Sequence, residues 1–291
     1  MTKKLSLLLA IIMAFCSCIA LSSCGETPVE EDGFEYVLDY RISGDGTYYL
    51  VTGYGVHGNA TVSIPTENEG KPVKEIGQNA FKQQYVQELM EGITIPGSIE
   101  KIGLSAFYAC TKLTTVNFSE GLKYIDNVAF SRCSALKAIN LPEGLEYIGD
   151  YAFLGCSEVS SLILPSTLKH IGVSAFAETR YFIHNAPVHN KNVTYIPDTA
   201  GKTWVVIADF DIVDANLPDN AVGIASDAFS YCDALTTVEI PAGVKYICAN
   251  AFEGCTALTT VNYGGSVEDF AKIVIESGNE ALTSAQINFG K

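Results

Sequence analysis

Apolar and polar positions recur along most of this chain with a period of about 23 residues. The clearest copy is Leu136 to Cys156, LKAINLPEGLEYIGDYAFLGC. Each copy contains the dipeptide Ala-Phe, whose Phe residues are Phe81, Phe107, Phe130, Phe153, Phe176, Phe229 and Phe252. Four of the intervals between successive members of this series are 23 residues. A fixed period of this length is typical of a solenoid, in which similar units stack on one another.

Three further landmarks keep a constant distance from each Phe. An Ile precedes it by five residues, at Ile76, Ile102, Ile125, Ile148, Ile171, Ile224 and Ile247. A Pro precedes it by eleven residues at Pro96, Pro142, Pro165, Pro218 and Pro241, and a Cys follows it by three at Cys110, Cys133, Cys156, Cys232 and Cys255. The copies are therefore units of one array.

Each unit predicts a strand followed by a turn and a short helical segment. Leu136, Ile139 and Leu141 alternate as in a strand, which Pro142 ends because it has no N–H group to donate. One unit has too few apolar residues to bury both of its sides, so neighbouring units must stack and share a core. The prediction is an α/β solenoid with a ribbon of parallel strands about 4.8 Å apart.

These landmarks resemble the BspA-like branch of the leucine-rich repeat family, whose units read roughly L-x-x-I-x-L-P-x-x-L-x-x-I-G-x-x-A-F-x-x-C. The resemblance extends from about Phe34 to Phe289. It implies a curved, right-handed superhelix. It also implies a cell-surface or secreted bacterial protein used in adhesion or recognition, and it implies no enzyme.

The N-terminus has the pattern of an export signal. Lys3 and Lys4 precede an apolar run from Leu5 to Leu21 that is short for a membrane span, and Leu21-Ser22-Ser23-Cys24 follows. This sequence resembles a lipobox, which implies removal of 1–23 and diacylation of Cys24. The segment around Cys18 fits the pattern less well. An ordinary secretory signal with a coincidental Cys24 is the alternative.

The remaining chain divides by composition and pattern. Residues 24–33 are polar and acidic and predict a lipidated tether. Residues 34–291 form the repeat domain, in which 34–60 is an N-terminal cap built on a hairpin around Ser43-Gly44-Asp45-Gly46. We interpret Asp45 as a turn residue rather than a calcium ligand.

The repeat domain has one irregular stretch and a distinct end. Units extend over 61–262, with a degenerate insertion at 180–214 in which Thr203 to Ile212 is predicted to be a strand. Residues 263–291 form a C-terminal cap. Its predicted helix begins after Ser266 and ends at Gly278, and a last strand covers Ala285 to Phe289.

The repeated cysteines predict a column of side chains inside the solenoid. An exported protein can form disulfides, but side chains that project in parallel from stacked units do not offer the crossed geometry of a disulfide. We therefore interpret them as buried thiols. Cys248 takes the place of a glycine found in other copies, such as Gly149, and is expected to be partly exposed.

Other chemistry is weakly indicated. The histidines, His57, His170, His184 and His189, do not recur in register, and we predict no metal site and no cofactor. Asp209, Asp211 and Asp214 are interpreted as strand residues rather than a calcium loop. No nucleophile elbow, Walker loop or dinucleotide fingerprint occurs, so we predict no enzyme. Trp204 is a candidate exposed aromatic, although core packing is the default for such a residue.

The charge balance excludes one class of partner. The chain carries 18 basic and 33 acidic residues, a net charge of −15, and removal of Lys3 and Lys4 makes it 16 − 33 = −17. Nucleic-acid binding requires clustered Lys and Arg, so we predict no nucleic-acid partner.

The outward side chains of the strands are the candidate binding surface. Solenoids bind partners through such extended faces, and hydroxyl and amide groups suit a protein or a glycan. The candidate residues are Thr115, Asn117, Asn140, Ser161, Glu239, Thr260 and Asn262. The leading hypothesis is a lipid-anchored, extracytoplasmic protein of the bacterial envelope, at the cell surface, that binds a protein or glycan. The alternative is a structural or scaffolding component of the envelope without a host ligand.

Overall fold

The computed structural model describes residues 38–54, 60–184 and 193–290. The predicted signal peptide, Cys24, the tether, His57 and His189 lie outside the described residues, as does the side chain of His184.

The described residues form short strands and four short helices. In chain order the strands are β1 (Leu38–Ile42), β2 (Tyr49–Tyr54), β3 (Thr61–Ser63), β4 (Glu67–Asn68), β5 (Lys71–Ile76), β6 (Gly92–Ile95), β7 (Lys101–Ile102), β8 (Thr115–Phe118), β9 (Tyr124–Ile125), β10 (Ala138–Asn140), β11 (Tyr147–Ile148), β12 (Ser161–Ile163), β13 (His170–Ile171), β14 (Val193–Pro197), β15 (Thr203–Ala208), β16 (Asp214–Asn216), β17 (Ala221–Ile224), β18 (Thr237–Ile240), β19 (Tyr246–Ile247), β20 (Thr260–Tyr263), β21 (Val274–Ile275) and β22 (Gln286–Phe289). The helices are α1 (Gln84–Leu89), α2 (Arg180–His184), α3 (Val267–Phe270) and α4 (Glu280–Ser284).

Each repeat contributes one strand to each of two parallel ribbons. The first ribbon contains the predicted strands and consists of the ladders β3-β6-β8, β10-β12 and β16-β18-β20-β22. The second ribbon lies at the repeated Ile and consists of β2-β5-β7-β9-β11-β13 and β15-β17-β19-β21. The predicted parallel solenoid is confirmed, and the second ribbon was not foreseen.

The predicted helical segment in each unit is wrong, because this side is made of turns. The residues two before each repeated Phe, and from Phe107 onward also those two after it, have positive φ, for example Tyr151 at 56° and Gly155 at 73° around Phe153. Left-handed residues interrupt an α-helix. The freed N–H groups reach the next unit instead, as when Phe130 N donates to Ala152 O at 2.7 Å.

The core lies between the ribbons and the turns and consists of the repeated apolar residues. The Phe rings stack nearly parallel, with centroids 4.7 Å apart for Phe81 and Phe107 and 4.8 Å for Phe107 and Phe130. The stack continues through Phe153 to Phe176, and Phe229 stacks on Phe252 in the same way. The buried residues form two clusters, one centred on the units before Phe176 and one on the units after Ala208.

The irregular stretch lies where the two clusters meet. β14 and β15 form an antiparallel hairpin, and β15 joins the second ribbon by pairing with β17. The Asp198 side chain shapes the hairpin turn by accepting the N–H groups of Ala200 and Lys202. The strand predicted to reach Ile212 ends at Ala208, so Asp209 and Asp211 lie in a turn rather than in a strand.

The two ends of the described repeat region differ from a regular unit. At the start, β1 and β2 form an antiparallel hairpin whose turn is held by Asp45, which accepts the Ser43 hydroxyl at 2.6 Å. These bonds, with those from Thr47, hold the pKa of Asp45 at about 2. At the other end, Ser266 caps α3 by accepting the N–H of Asp269.

The predicted C-terminal helix is too long. α3 ends at Phe270, and Val274 and Ile275 form β21, which extends the second ribbon by pairing with β19. Of the predicted apolar stripe, Ile273 is buried and Phe270 packs on Tyr263, whereas Val267 and Val274 are both more than half exposed. The predicted last strand is present as β22.

Candidate binding surface

The outward residues of the first ribbon form two rows within each of its three ladders, and together we call them the strand face. Parallel pairing places Asn117 beside Thr94, Ser161 beside Ala138 and Asn140 beside Ile163. Further along the chain, β18, β20 and β22 continue the same register. Since side chains alternate along a strand, the buried residues between these positions point into the core.

The exposure of the strand face differs between its first half, the strands up to β12, and its second half, the strands from β16 to β22. Thr115, Asn117, Asn140 and Ser161 are exposed. Ile163 is 54% exposed and gives this half an apolar point of contact.

In the second half of the strand face, Glu239 and Thr260 are half-buried, and Asn262 is buried with 8% exposure. The prediction that Asn262 faces solvent is wrong because its neighbours cover it. Asn262 donates to Glu239 and accepts from Asn288 Nδ2 at 2.8 Å.

Trp204 is not an exposed aromatic residue, and the prediction that it could be one is wrong. It is 1% exposed, and its ring stacks nearly parallel on Tyr246 at 6.1 Å between centroids. Gly223 makes room for it, because a Cβ at Gly223 would lie 2.5 Å from a carbon of the indole ring. Gly223 occupies the repeat position that carries Tyr in β9, β11 and β19.

The column of cysteines lies in the core as free thiols. Cys133 Sγ donates to Phe107 O at 3.1 Å, and Cys255 Sγ donates to Phe229 O at 3.0 Å, so each thiol satisfies a carbonyl of the preceding unit. Burial raises the pKa of the Cys110 thiol to about 12 and that of Cys232 to about 11. These thiols are protonated at neutral pH and are therefore poor nucleophiles.

Cys248 is also buried, with 1% exposure, and the expectation that it is partly exposed is wrong. Among the described residues it belongs to the one group of three potential metal ligands, with His170 and Glu276. The repeat pattern does not predict this group, because its members come from different units.

The second ribbon carries two ladders that the sequence analysis also missed. Tyr124, Tyr147 and His170 stack with centroid separations of 4.0 and 4.3 Å. One residue earlier in each unit the charges alternate in sign through Lys74, Glu100, Lys123, Glu146 and Lys169. Salt bridges of 2.8 Å join Lys74 to Glu100 and Lys169 to Glu146. Both ladders could have been predicted from the sequence, because the rings stand one residue before the repeated Ile and the charges stand two residues before it.

A small pocket lies where the two core clusters meet, lined by turn residues of the Phe176 unit, β15 and Asp227. Burial raises the pKa of the Asp227 carboxyl, and the charge of Glu253 adds to this effect. Over the described ranges, no helix is both long and apolar enough to cross a membrane.

A model described as the BspA type leucine rich repeat region matches residues 72–202 and 208–288, in six copies. Comparison with curated proteins finds no match.

Several solved structures are similar to this chain. One is a leucine-rich repeat protein of T. pallidum, with 23% identity and a TM-score of 0.39, covering 82% of this chain and 94% of that one. Another is a leucine-rich cell surface protein of Faecalibacterium prausnitzii, with 18% identity and a TM-score of 0.34, covering 86% and 100%. A third is a leucine-rich repeat protein of Bacteroides capillosus, with 34% identity and a TM-score of 0.34, covering 37% and 80%.

Proposed function

The chain belongs to the BspA-type leucine-rich repeat family, and on this basis we propose that it is a lipid-anchored bacterial cell-surface protein that binds another macromolecule through its strand face. The partner is a protein or a glycan, and the role is adhesion or recognition. The observation that carries the proposal is the set of exposed polar side chains on β8, β10 and β12, which are in register between β6 and β8 and between β10 and β12.

The chemistry of this row suits a neutral polar partner. Thr115, Asn117, Asn140 and Ser161 offer hydroxyl and amide groups, which both donate and accept hydrogen bonds. Ile163 adds an exposed apolar side chain beside Asn140. The backbone groups between them are occupied by the parallel ladders, so a ligand would be recognised by side chains. A repeated spacing of about 4.8 Å suits a partner that is itself extended.

The sequence around Cys24 supports the anchor. A charged start, an apolar run and the sequence Leu21-Ser22-Ser23-Cys24 are the features that a lipoprotein signal requires. Two acyl chains on Cys24 would hold the protein stably at a membrane, since a single chain gives only marginal binding.

One observation favours the scaffold alternative. In the second half of the strand face, Glu239, Asn262 and Asn288 bond to one another and leave few polar groups free for a ligand. A structural role in the envelope would require only that the polar side chains of the face bond to one another. The proposal therefore assigns ligand binding to the first half of the face.

The ligand-binding role is tested by screening the chain against host-matrix proteins, glycans and bacterial surfaces. We expect one class to bind. Asn117→Arg and Asn140→Arg should each weaken that binding at least tenfold, because a long charged side chain covers its neighbours. Thr256→Arg is the matched control, since Thr256 is exposed but lies on the turn side of its unit. Binding that is unaffected by both face variants would contradict the assignment of the site.

The anchor is tested by metabolic labelling with a radioactive fatty acid. Label and membrane retention should be lost in Cys24→Ala and kept in Cys18→Ala. If Cys24→Ala keeps the label, the lipid is attached elsewhere and this part of the proposal is wrong.

A further inference from the structure

Three side chains of the kinds that bind transition metals meet where the two core clusters join. His170 lies in β13, in the last regular unit before the irregular stretch. Cys248 follows β19, and Glu276 follows β21 in the C-terminal region. One potential ligand atom from each residue lies within 4.8 Å of the other two.

The geometry is close to that of a metal site. His170 Nδ1 lies 2.9 Å from Glu276 Oε1. Ligand atoms around a tetrahedral zinc ion are about 3.3 to 3.7 Å apart, given zinc–ligand bonds of about 2.0 to 2.3 Å. Small side-chain movements would therefore admit an ion at the centre of the group.

Neighbouring groups hold two of the three ligands in place. The N–H of Ala249 donates to Glu276 Oε2 at 2.8 Å, which leaves Oε1 directed toward His170. The ring of Tyr147 stacks on the His170 imidazole at 4.3 Å and fixes its plane. Such outer contacts are characteristic of metal ligands, whose orientation they set.

The repeat pattern does not account for these residue types. The position after the repeated Ile is small in five other units, at Gly77, Gly103, Gly149, Gly172 and Ala225, and is Asp126 in one. In two successive units it holds Cys248 and Glu276 instead. His170 likewise stands where β9, β11 and β19 have Tyr. The three departures from the repeat converge on one place.

We propose that His170, Cys248 and Glu276 form a zinc site that joins the two halves of the solenoid. Nitrogen, sulfur and oxygen ligands together suit zinc, and three protein ligands leave a fourth position for water. Glu276 has about a third of its side chain exposed, at 35%, which gives an ion a route from solvent. Binding would release the thiol proton of Cys248 and any proton shared between His170 and Glu276.

The site would act as a clamp. His170 belongs to the units before the irregular stretch, whereas Cys248 and Glu276 belong to the units after it, and His170 and Glu276 are 106 positions apart in the sequence. An ion held by all three would bind the folded chain and not the unfolded one, so the free energy of unfolding would rise with the logarithm of the ion concentration above the Kd.

Titration of the metal-stripped full chain with cobalt(II), as a spectroscopic substitute for zinc, tests the proposal directly. The chain is purified in detergent without a polyhistidine tag. We expect one equivalent to give a thiolate-to-cobalt charge-transfer band and the visible bands of a tetrahedral site, and one equivalent of zinc to remove both. Cys248→Ala should lose the charge-transfer band. Alanine is tolerated at this position in another unit, at Ala225, so this variant should fold.

Matched controls separate this site from the cysteine column. Cys255→Ala should keep the band, and His170→Phe, which retains a ring for Tyr147 to stack on, should weaken cobalt binding at least tenfold. Zinc should raise the Tm of the wild type and of Cys255→Ala but not that of Cys248→Ala. Absence of the band in the wild type, or an equal band in Cys248→Ala, would overturn the proposal and leave His170 and Glu276 as a simple ion pair.

Discussion

At the scale of single residues, the cysteine column shows why a repeat position can require a thiol. Cys156 Sγ donates to Phe130 O at 3.2 Å, and the same bond recurs in neighbouring units. Phe130 O also accepts the N–H of Cys133 at 3.2 Å, so the weak S–H donor gives this carbonyl a second hydrogen bond while sulfur fills the core.

We predict that the repeat cysteines resist alkylation in the folded protein. Burial raises the pKa of Cys110 and Cys255 to about 12, so their thiols stay protonated until well above neutral pH. Mass spectrometry after brief iodoacetamide treatment at pH 8 should find no modification in 34–291, and full modification in guanidinium chloride. Thr256→Cys, at an exposed position, is the positive control. Rapid labelling of Cys110 in the native state would contradict the described core.

Val128 is the residue least suited to its backbone conformation. It has a φ of 61°, in the left-handed region that β-branched residues rarely adopt, and the equivalent positions of other units carry residues such as Asn79 and Asn250.

We predict that Val128→Asn raises the free energy of unfolding by about 1 kcal/mol, since the left-handed conformation costs most L-residues about 1 to 2 kcal/mol. Urea denaturation measures the change. Val173→Asn, the same substitution outside the left-handed positions, should give no increase. A loss of stability in Val128→Asn would mean that its side-chain packing outweighs the strain.

At the scale of the element, the repeat predicted the strands of the first ribbon and the core, but neither the second ribbon nor the turns. The Ile, Phe and Cys landmarks are all buried, as their period predicted. Helical spacing of Leu145, Ile148 and Phe153 was misleading, because apolar residues at those intervals also fit a path with left-handed residues on either side of Phe153.

Contacts between units of different sequence escaped prediction for a related reason. The burial of Trp204 depends on the missing side chain of Gly223, and the approach of His170 to Glu276 depends on how the irregular stretch joins two regular ones. Periodicity describes what neighbouring units share, and these contacts arise where units differ.

We predict that the Phe stack is the main support of each unit. Phe130 is fully buried between two other rings, so Phe130→Ala should lower the free energy of unfolding by about 3 to 5 kcal/mol. Phe210→Ala is the control, because Phe210 is 73% exposed and should contribute little. Denaturation by urea measures both. A similar, small effect in the two variants would contradict the stacked core.

At the scale of the whole molecule, the two core clusters predict two regions of separate stability. Solenoid units interact mainly with their neighbours, so damage to one unit spreads over a limited distance. In Phe130→Ala, hydrogen exchange should speed up in β9 and β11 while β18 and β20 keep their protection. Uniform loss of protection along the chain would instead indicate a single cooperative core.

The central claim is that the strand face meets its partner outside the cell. Protease treatment of intact cells, followed by immunoblotting for the repeat domain, tests this claim most directly, with the Cys24→Ala variant as the control for anchoring. We predict that the wild-type domain is cleaved from intact cells and that Cys24→Ala is already missing from them. A wild-type domain that stays protected until the envelope is opened would contradict surface recognition and favour a structural role inside the envelope.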